Sequence, residues 1–148
     1  MTTAQMYLPQ VLGLVALSFL TALAILVSRV VDLVTNRRSL SFYEEFDTTA
    51  APLSVLRPTR QLANQFEFPV LFYTLVAIAI ATPVSDPAIA GVAWCYVALR
   101  WTHALSHLAF NRLYIRTPIF MIGNIALLVM WLMLTLAVLG LSRPAGSA

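Results

Sequence analysis

The chain contains no lysine. All nine of its basic residues are arginine, set against six acids for a net charge of +3. Charged residues make up only 10% of the 148, where a soluble domain carries about 25%. That deficit excludes an ordinary water-facing surface. Positive charges so few and so scattered also exclude the basic face of a nucleic-acid-binding protein. Cysteine is nearly absent as well: Cys95 stands alone in the apolar run Val92-Ala93-Trp94-Cys95-Tyr96. A lone cysteine cannot form an internal disulfide, and this one reads as a small buried hydrophobe. What is present is apolar: 60% of the residues, with a mean hydropathy of +0.84.

A membrane helix needs about 20 mainly apolar residues, and the apolar runs predict four. The first covers about 8–34, beginning in the uncharged stretch 1–28. The second covers about 61–82, the third about 88–110 and the fourth about 119–141. Pro83, Asp86 and Pro87 break the chain between the second and third. Ala22-Leu23-Ala24 imitates a cleavage site, but no basic residue precedes the apolar stretch and that stretch is too long, so it is expected to stay. The expected fold class is all-α: an integral membrane four-helix bundle in a single domain, 1–148. Its one long connection is a loop of about 35–59, holding Arg37, Arg38, Glu44, Glu45, Asp47 and Arg57. A short turn near 111–117 holds Arg112 and Arg116.

The arginines set an orientation. Arg29, Arg37, Arg38, Arg57, Arg60, Arg112 and Arg116 gather at one expected membrane face, and Arg143 lies at the other. The positive-inside rule puts the arginine-rich loops in the cytoplasm and both termini across the membrane.

Ionisable groups at membrane depth are costly, by about 2.5–3.5 kcal/mol each on insertion scales, so they face other helices or a wet cavity. Here they fall in stripes. Arg60, Asn64 and Glu67 share one face of the second span at i, i+4 and i+7. Arg100, His103 and His107 share a face of the third at i, i+3 and i+7, and Asn111 extends it. Arg29, Asp32 and Asn36 do the same in the first. Glu67 is the expected partner of Arg100, linking spans two and three. The three stripes together would line a basic pocket suited to an anionic ligand. The same polar pairs can also simply hold a bundle together. The two histidines have helical metal-ligand spacing, but no carboxylate or cysteine accompanies them on their helix, so no metal is expected. Pro69 is placed to kink the second span just past its polar stripe.

These residues resemble the MAPEG family, the membrane-associated proteins of eicosanoid and glutathione metabolism. The stretch Arg60-Gln61-Leu62-Ala63-Asn64-Gln65-Phe66-Glu67 is similar to the family's second-helix signature. Arg100-Trp101-Thr102-His103 through His107, then Arg112 and Arg116-Thr117-Pro118, is similar to its third-helix region. The run from Asn64 through Glu67-Phe68-Pro69 to Phe72-Tyr73 most resembles the bacterial branch. The resemblance implies a homotrimer of four-helix bundles in a lipid bilayer, expected in a bacterial inner membrane. It implies glutathione as co-substrate between subunits, held by Arg60, Asn64, Glu67, Arg100, His103, His107 and Arg112. Arg116 matches the arginine held to stabilise the thiolate, which makes it the expected catalytic residue; Arg37 or Arg38 is the candidate from the first helix. The implied activity is that of a membrane-embedded glutathione-dependent transferase or peroxidase acting on apolar electrophiles. The alternative is a non-catalytic subunit of the same fold, serving assembly or lipid binding. Phe68, His103 and His107 stand where several glutathione-using members carry tyrosine. The orientation has a direct check: an epitope tag at the carboxy terminus is expected to be protected from cytoplasmic labelling, and cytoplasmic-only labelling would reverse the topology.

Overall fold

The computed structural model describes residues 1–36, 39–45, 50–110 and 112–141. Arg37, Arg38, Asp47, Asn111 and Arg143 lie outside the described residues. Among the described residues six helices follow in order: α1 (Thr3–Thr35), α2 (Ser41–Glu45), α3 (Leu53–Gln65), α4 (Phe68–Ala81), α5 (Pro87–Ala109) and α6 (Leu113–Val138). They contain no strand.

The helix ends differ from the apolar runs for local reasons. α1 starts at Thr3 because Thr2 and Gln5 form a reciprocal capping box, which satisfies two of the orphan N–H groups of the first turn. α3 starts at Leu53, inside the stretch expected to be loop. It is an amphipathic helix, burying Val55, Leu56, Pro58, Gln61 and Gln65 while Leu53, Ser54 and Arg60 stay exposed. A search for continuous apolar runs passes over such a segment. α6 starts at Leu113, so Arg116 sits on its first turn and not in a loop. Pro118, in the next turn, removes the hydrogen bond that its N–H would give the Tyr114 carbonyl and crowds that carbonyl with its ring, near the helix start where both are easiest to relieve.

The expected kink at Pro69 is a full break. α3 ends with Phe66 as its C-cap, Glu67 takes φ −95° and ψ −102°, and α4 begins at Phe68 with the proline in its first turn. There proline is tolerated because that N–H has no helical partner. A continuous helix would instead put the ring against the carbonyl of Gln65.

Among the described residues three segments are long and apolar enough to cross a membrane: Thr3–Thr35, Leu53–Ala81 with its break, and Leu113–Val138. α5 has 23 residues, about 35 Å at 1.5 Å per residue. It is less apolar because Arg100, His103 and His107 lie on its buried face. The outer surface is apolar: Phe19 is 74% exposed, Leu26 60% and Leu128 59%. In water such a surface would aggregate; lipid is its natural solvent.

The core is built on Tyr7, Leu14, Phe72, Leu75, Tyr96 and Met130, all wholly buried. Phe72 of α4 stacks on Tyr96 of α5, with centroids 5.2 Å apart. α5 and α6 form the most extensive helix pair. α1 lies against α3 and α5, pinned by the Trp101 indole N–H, which donates to the Gly13 carbonyl at 3.1 Å. Cys95 is exposed, contrary to its expected burial. It falls opposite the inward positions Ala93, Tyr96 and Val97 on the helical wheel and points away from the bundle.

Gly13 marks the close approach of α1 to α5: a Cβ there would lie 3.1 Å from Val97 Cγ1, whereas one at Gly91 would meet open space. Gly13→Val is therefore expected to destabilise the protein by about 1–3 kcal/mol through overpacking. Gly91→Ala is expected to stabilise it by about 0.5–1 kcal/mol through the helix-propensity gain. Unfolding midpoints in detergent check both signs.

Candidate functional site

The break before Pro69 creates the site's anchor. It leaves the last carbonyls of α3 without intrahelical donors. Arg100, only 1% exposed, reaches from α5 and donates from Nη2 to the Asn64 carbonyl at 2.6 Å. A cation at a helix C-terminus also meets the negative end of the macrodipole, worth up to about 2 kcal/mol when partly buried. The other face of the guanidinium lies over the Phe120 ring of α6, 5.7 Å from its centroid. Phe120 also packs edge-on against Phe68 at 5.5 Å, so one ring ties α4, α5 and α6 together.

His103 lies one turn along α5 from Arg100. Its Nδ1 is 3.2 Å from the Arg116 carbonyl. A carbonyl only accepts, so Nδ1 carries the proton and Nε2 is left as an acceptor. That bond fixes the first turn of α6, and with it Arg116, beside the end of α5. Asn64, His103, Arg116, Thr117 and Phe120 line a cleft of about 200 Å³ between α3, α5 and α6. Buried His107 continues the stripe, within electrostatic range of Arg116, Arg57 and Arg60.

The structure thus brings together Asn64, Arg100, His103, His107 and Arg116. The others lie further out. Arg60 is exposed on α3. Arg112 is exposed, with Nη1 donating to the Tyr114 hydroxyl at 2.7 Å. Glu67 is exposed at the helix break. The expected Arg100–Glu67 ion pair does not form within the chain: the two charges interact at longer range, and the guanidinium takes the Asn64 carbonyl instead. The cause is the break, which turns Glu67 off the face it would share with Asn64 on a continuous helix.

The first-helix stripe does not join this cleft either. Buried Asp32 accepts from Asn36 Nδ2 at 2.6 Å and from the Tyr43 hydroxyl, which latches α2 onto α1. Arg29 lies over the Tyr43 ring at 5.4 Å. It lines a separate groove with Thr59, Leu62 and Phe66. Sequence reasoning missed Phe120, and gave Thr117 no role beyond its place in the Arg116-Thr117-Pro118 stretch. It also missed the buried face of Gln61 and Gln65, whose i, i+4 spacing was the available signal.

The model for the MAPEG family matches residues 8–136. The chain belongs to the MAPEG family. No curated protein and no solved structure matches it. The MAPEG family includes glutathione transferases and peroxidases as well as non-catalytic members. Its membership, together with three helices able to cross a membrane, makes this a membrane protein.

In this MAPEG protein Arg100→Met is expected to lower stability by about 1–3 kcal/mol, because the Asn64 carbonyl loses its charged donor. Arg100→Lys should recover part of the loss. Thermal unfolding in detergent measures both.

Proposed function

We propose that this MAPEG protein is a membrane-embedded, glutathione-dependent transferase or peroxidase acting on apolar electrophiles. The observation that carries this reading is the convergence of Asn64, His103 and Arg116, from three helices, on one polar cleft at one end of an apolar bundle. A free thiol has a pKa of about 8.5 and is mostly protonated at neutral pH. A guanidinium within hydrogen-bond reach favours the thiolate. Arg116 would supply that stabilisation, and the thiolate would attack an electrophile dissolved in the bilayer. No nucleophile from the protein is needed. Asn64, with Arg60, Glu67 and Arg112 nearer the solvent, would hold the backbone and carboxylates of glutathione. Arg100, His103 and His107 would support them from α5. The exposed position of Arg60 and Glu67 fits a ligand that lies at a subunit boundary, as a homotrimer would provide. In this reading α5 is the fourth span, the membrane is a bacterial inner membrane, the arginine-rich end is cytoplasmic, and both termini lie across the membrane.

The second reading, a non-catalytic subunit of the same fold, draws on the same bonds. Arg100 to Asn64 and His103 to Arg116 join α3, α5 and α6, and this is what interhelical glue would do.

Purified protein in detergent separates the two. Wild type is expected to conjugate glutathione to members of a panel of apolar electrophiles, and Arg116→Ala to lose roughly a hundredfold in rate, as when one donor to a developing anion is removed. No turnover from either, with no heat of glutathione binding by calorimetry, sinks the enzyme reading. The scaffold reading expects Glu67→Gln to weaken the oligomer and glutathione to leave the thermal midpoint unmoved.

A further inference from the structure

The bundle holds a second group of buried polar atoms, in which only Arg100 is a residue that the proposed chemistry uses. Gln61 and Gln65 of α3 are 0% and 1% exposed, and none of their four side-chain polar atoms has a partner. On α5, Arg100 Nε and Nη1 and the Tyr96 hydroxyl are likewise buried and unpartnered. Tyr96 lies one turn from Arg100 and interacts with it electrostatically. The Arg100 bond to the Asn64 carbonyl puts the guanidinium at the level of the peptide that enters Gln65. α3 and α5 pack together, and the buried face of each carries these groups toward the bundle interior.

Two physical facts make this arrangement informative. A buried amide left without partners costs about 1–3 kcal/mol, and here two amides share the cost. A buried guanidinium stays charged and needs compensation. The C-terminus of α3 offers only about half an elementary charge. Among the described residues no carboxylate is at ion-pair distance from Arg100. The unpartnered atoms on these two faces include five donor groups, Arg100 Nε and Nη1, the amide nitrogens of Gln61 and Gln65 and the Tyr96 hydroxyl, against the two amide oxygens of the glutamines. Donors that outnumber acceptors near an uncompensated buried cation are the chemistry of an anion site.

We propose that a small monovalent anion binds inside the bundle between Arg100 and Gln65, with Tyr96 and Gln61 completing its shell. A halide or a small carboxylate such as formate satisfies the same donors. The anion would be structural, neutralising Arg100 and joining α3 to α5 at the helix break. The proposal does not depend on the glutathione reading, and its test contains no glutathione.

The test is the unfolding midpoint of the full protein in detergent, at constant ionic strength, with gluconate replaced stepwise by chloride, bromide or formate. Wild type is expected to show a saturable rise with the small anions, and the more effective of halide and formate identifies the source. Gln65→Met, which keeps the shape and removes the donors, is expected to weaken the apparent affinity at least about tenfold, the loss of one hydrogen bond to a charged group. Gln65→Glu places a carboxylate beside Arg100. It is expected to raise the midpoint in gluconate and to abolish the anion response. Crystals grown in bromide should show an anomalous peak between Arg100 and Gln65 in wild type and none in Gln65→Glu. A midpoint in wild type that follows ionic strength and not anion identity overturns the proposal. So does a Gln65→Met variant that is more stable than wild type and responds to anions unchanged, since the amide would then be merely unpaired. If Gln65→Met fails to fold, the Gln65→Glu response alone decides.

Discussion

The structure turns on one charge-assisted hydrogen bond, from the Arg100 guanidinium to the Asn64 carbonyl. Pro69 ends α3 before the membrane segment is complete, and in lipid an unsatisfied backbone carbonyl costs several kcal/mol. Arginine meets that need with a donor and with charge opposite to the helix dipole. Once Arg100 is fixed there, Phe120 packs under the guanidinium, and His103, one turn along, reaches the first turn of α6. The cleft follows from those contacts. Its walls are set by a helix terminus and two interhelical bonds, not by a loop.

The surroundings explain why so few charges suffice. The outer faces of α1 and α6 are leucine, valine, phenylalanine and isoleucine, matched to acyl chains. Lipid offers no hydrophobic force between helices, so packing and polar contacts must hold the bundle together. Gly13 permits the close approach of α1 and α5, and the Trp101 indole closes it with a hydrogen bond. At the arginine-rich end the Tyr43–Asp32 bond latches the short α2 onto α1. These few polar contacts fix the register of a fold whose apolar contacts alone are permissive.

The apolar runs made α1, α5 and much of α6 legible, because twenty or so apolar residues have few other places to go. Helical spacing made the α5 stripe legible: Arg100, His103 and His107 share a face and are all buried. The start of α3 was hidden because its pattern is amphipathic, with Gln61 and Gln65 on the inward face where hydropathy expects apolar residues. Cys95 went wrong for the complementary reason: an apolar neighbourhood in sequence says nothing about which side of the helix faces lipid. The Arg100–Glu67 pair was plausible by depth. It failed because pairing by depth assumes a continuous helix, and Pro69 turns the acid away.

The sequence by itself determined the solvent of this protein, its helical class and its MAPEG membership. Composition and helical period suffice for the first two and the resemblance of short motifs for the third, since each is a property of local segments. Only the tertiary structure decided what the charges do. It gave Arg100 a carbonyl instead of a carboxylate, put Arg116 on a helix, sent the Arg29 stripe to a separate groove, and buried two unpartnered glutamines beside an arginine. Those outcomes depend on how a break at one proline rotates one helix against another, and that rotation is a relation between segments which no local pattern contains.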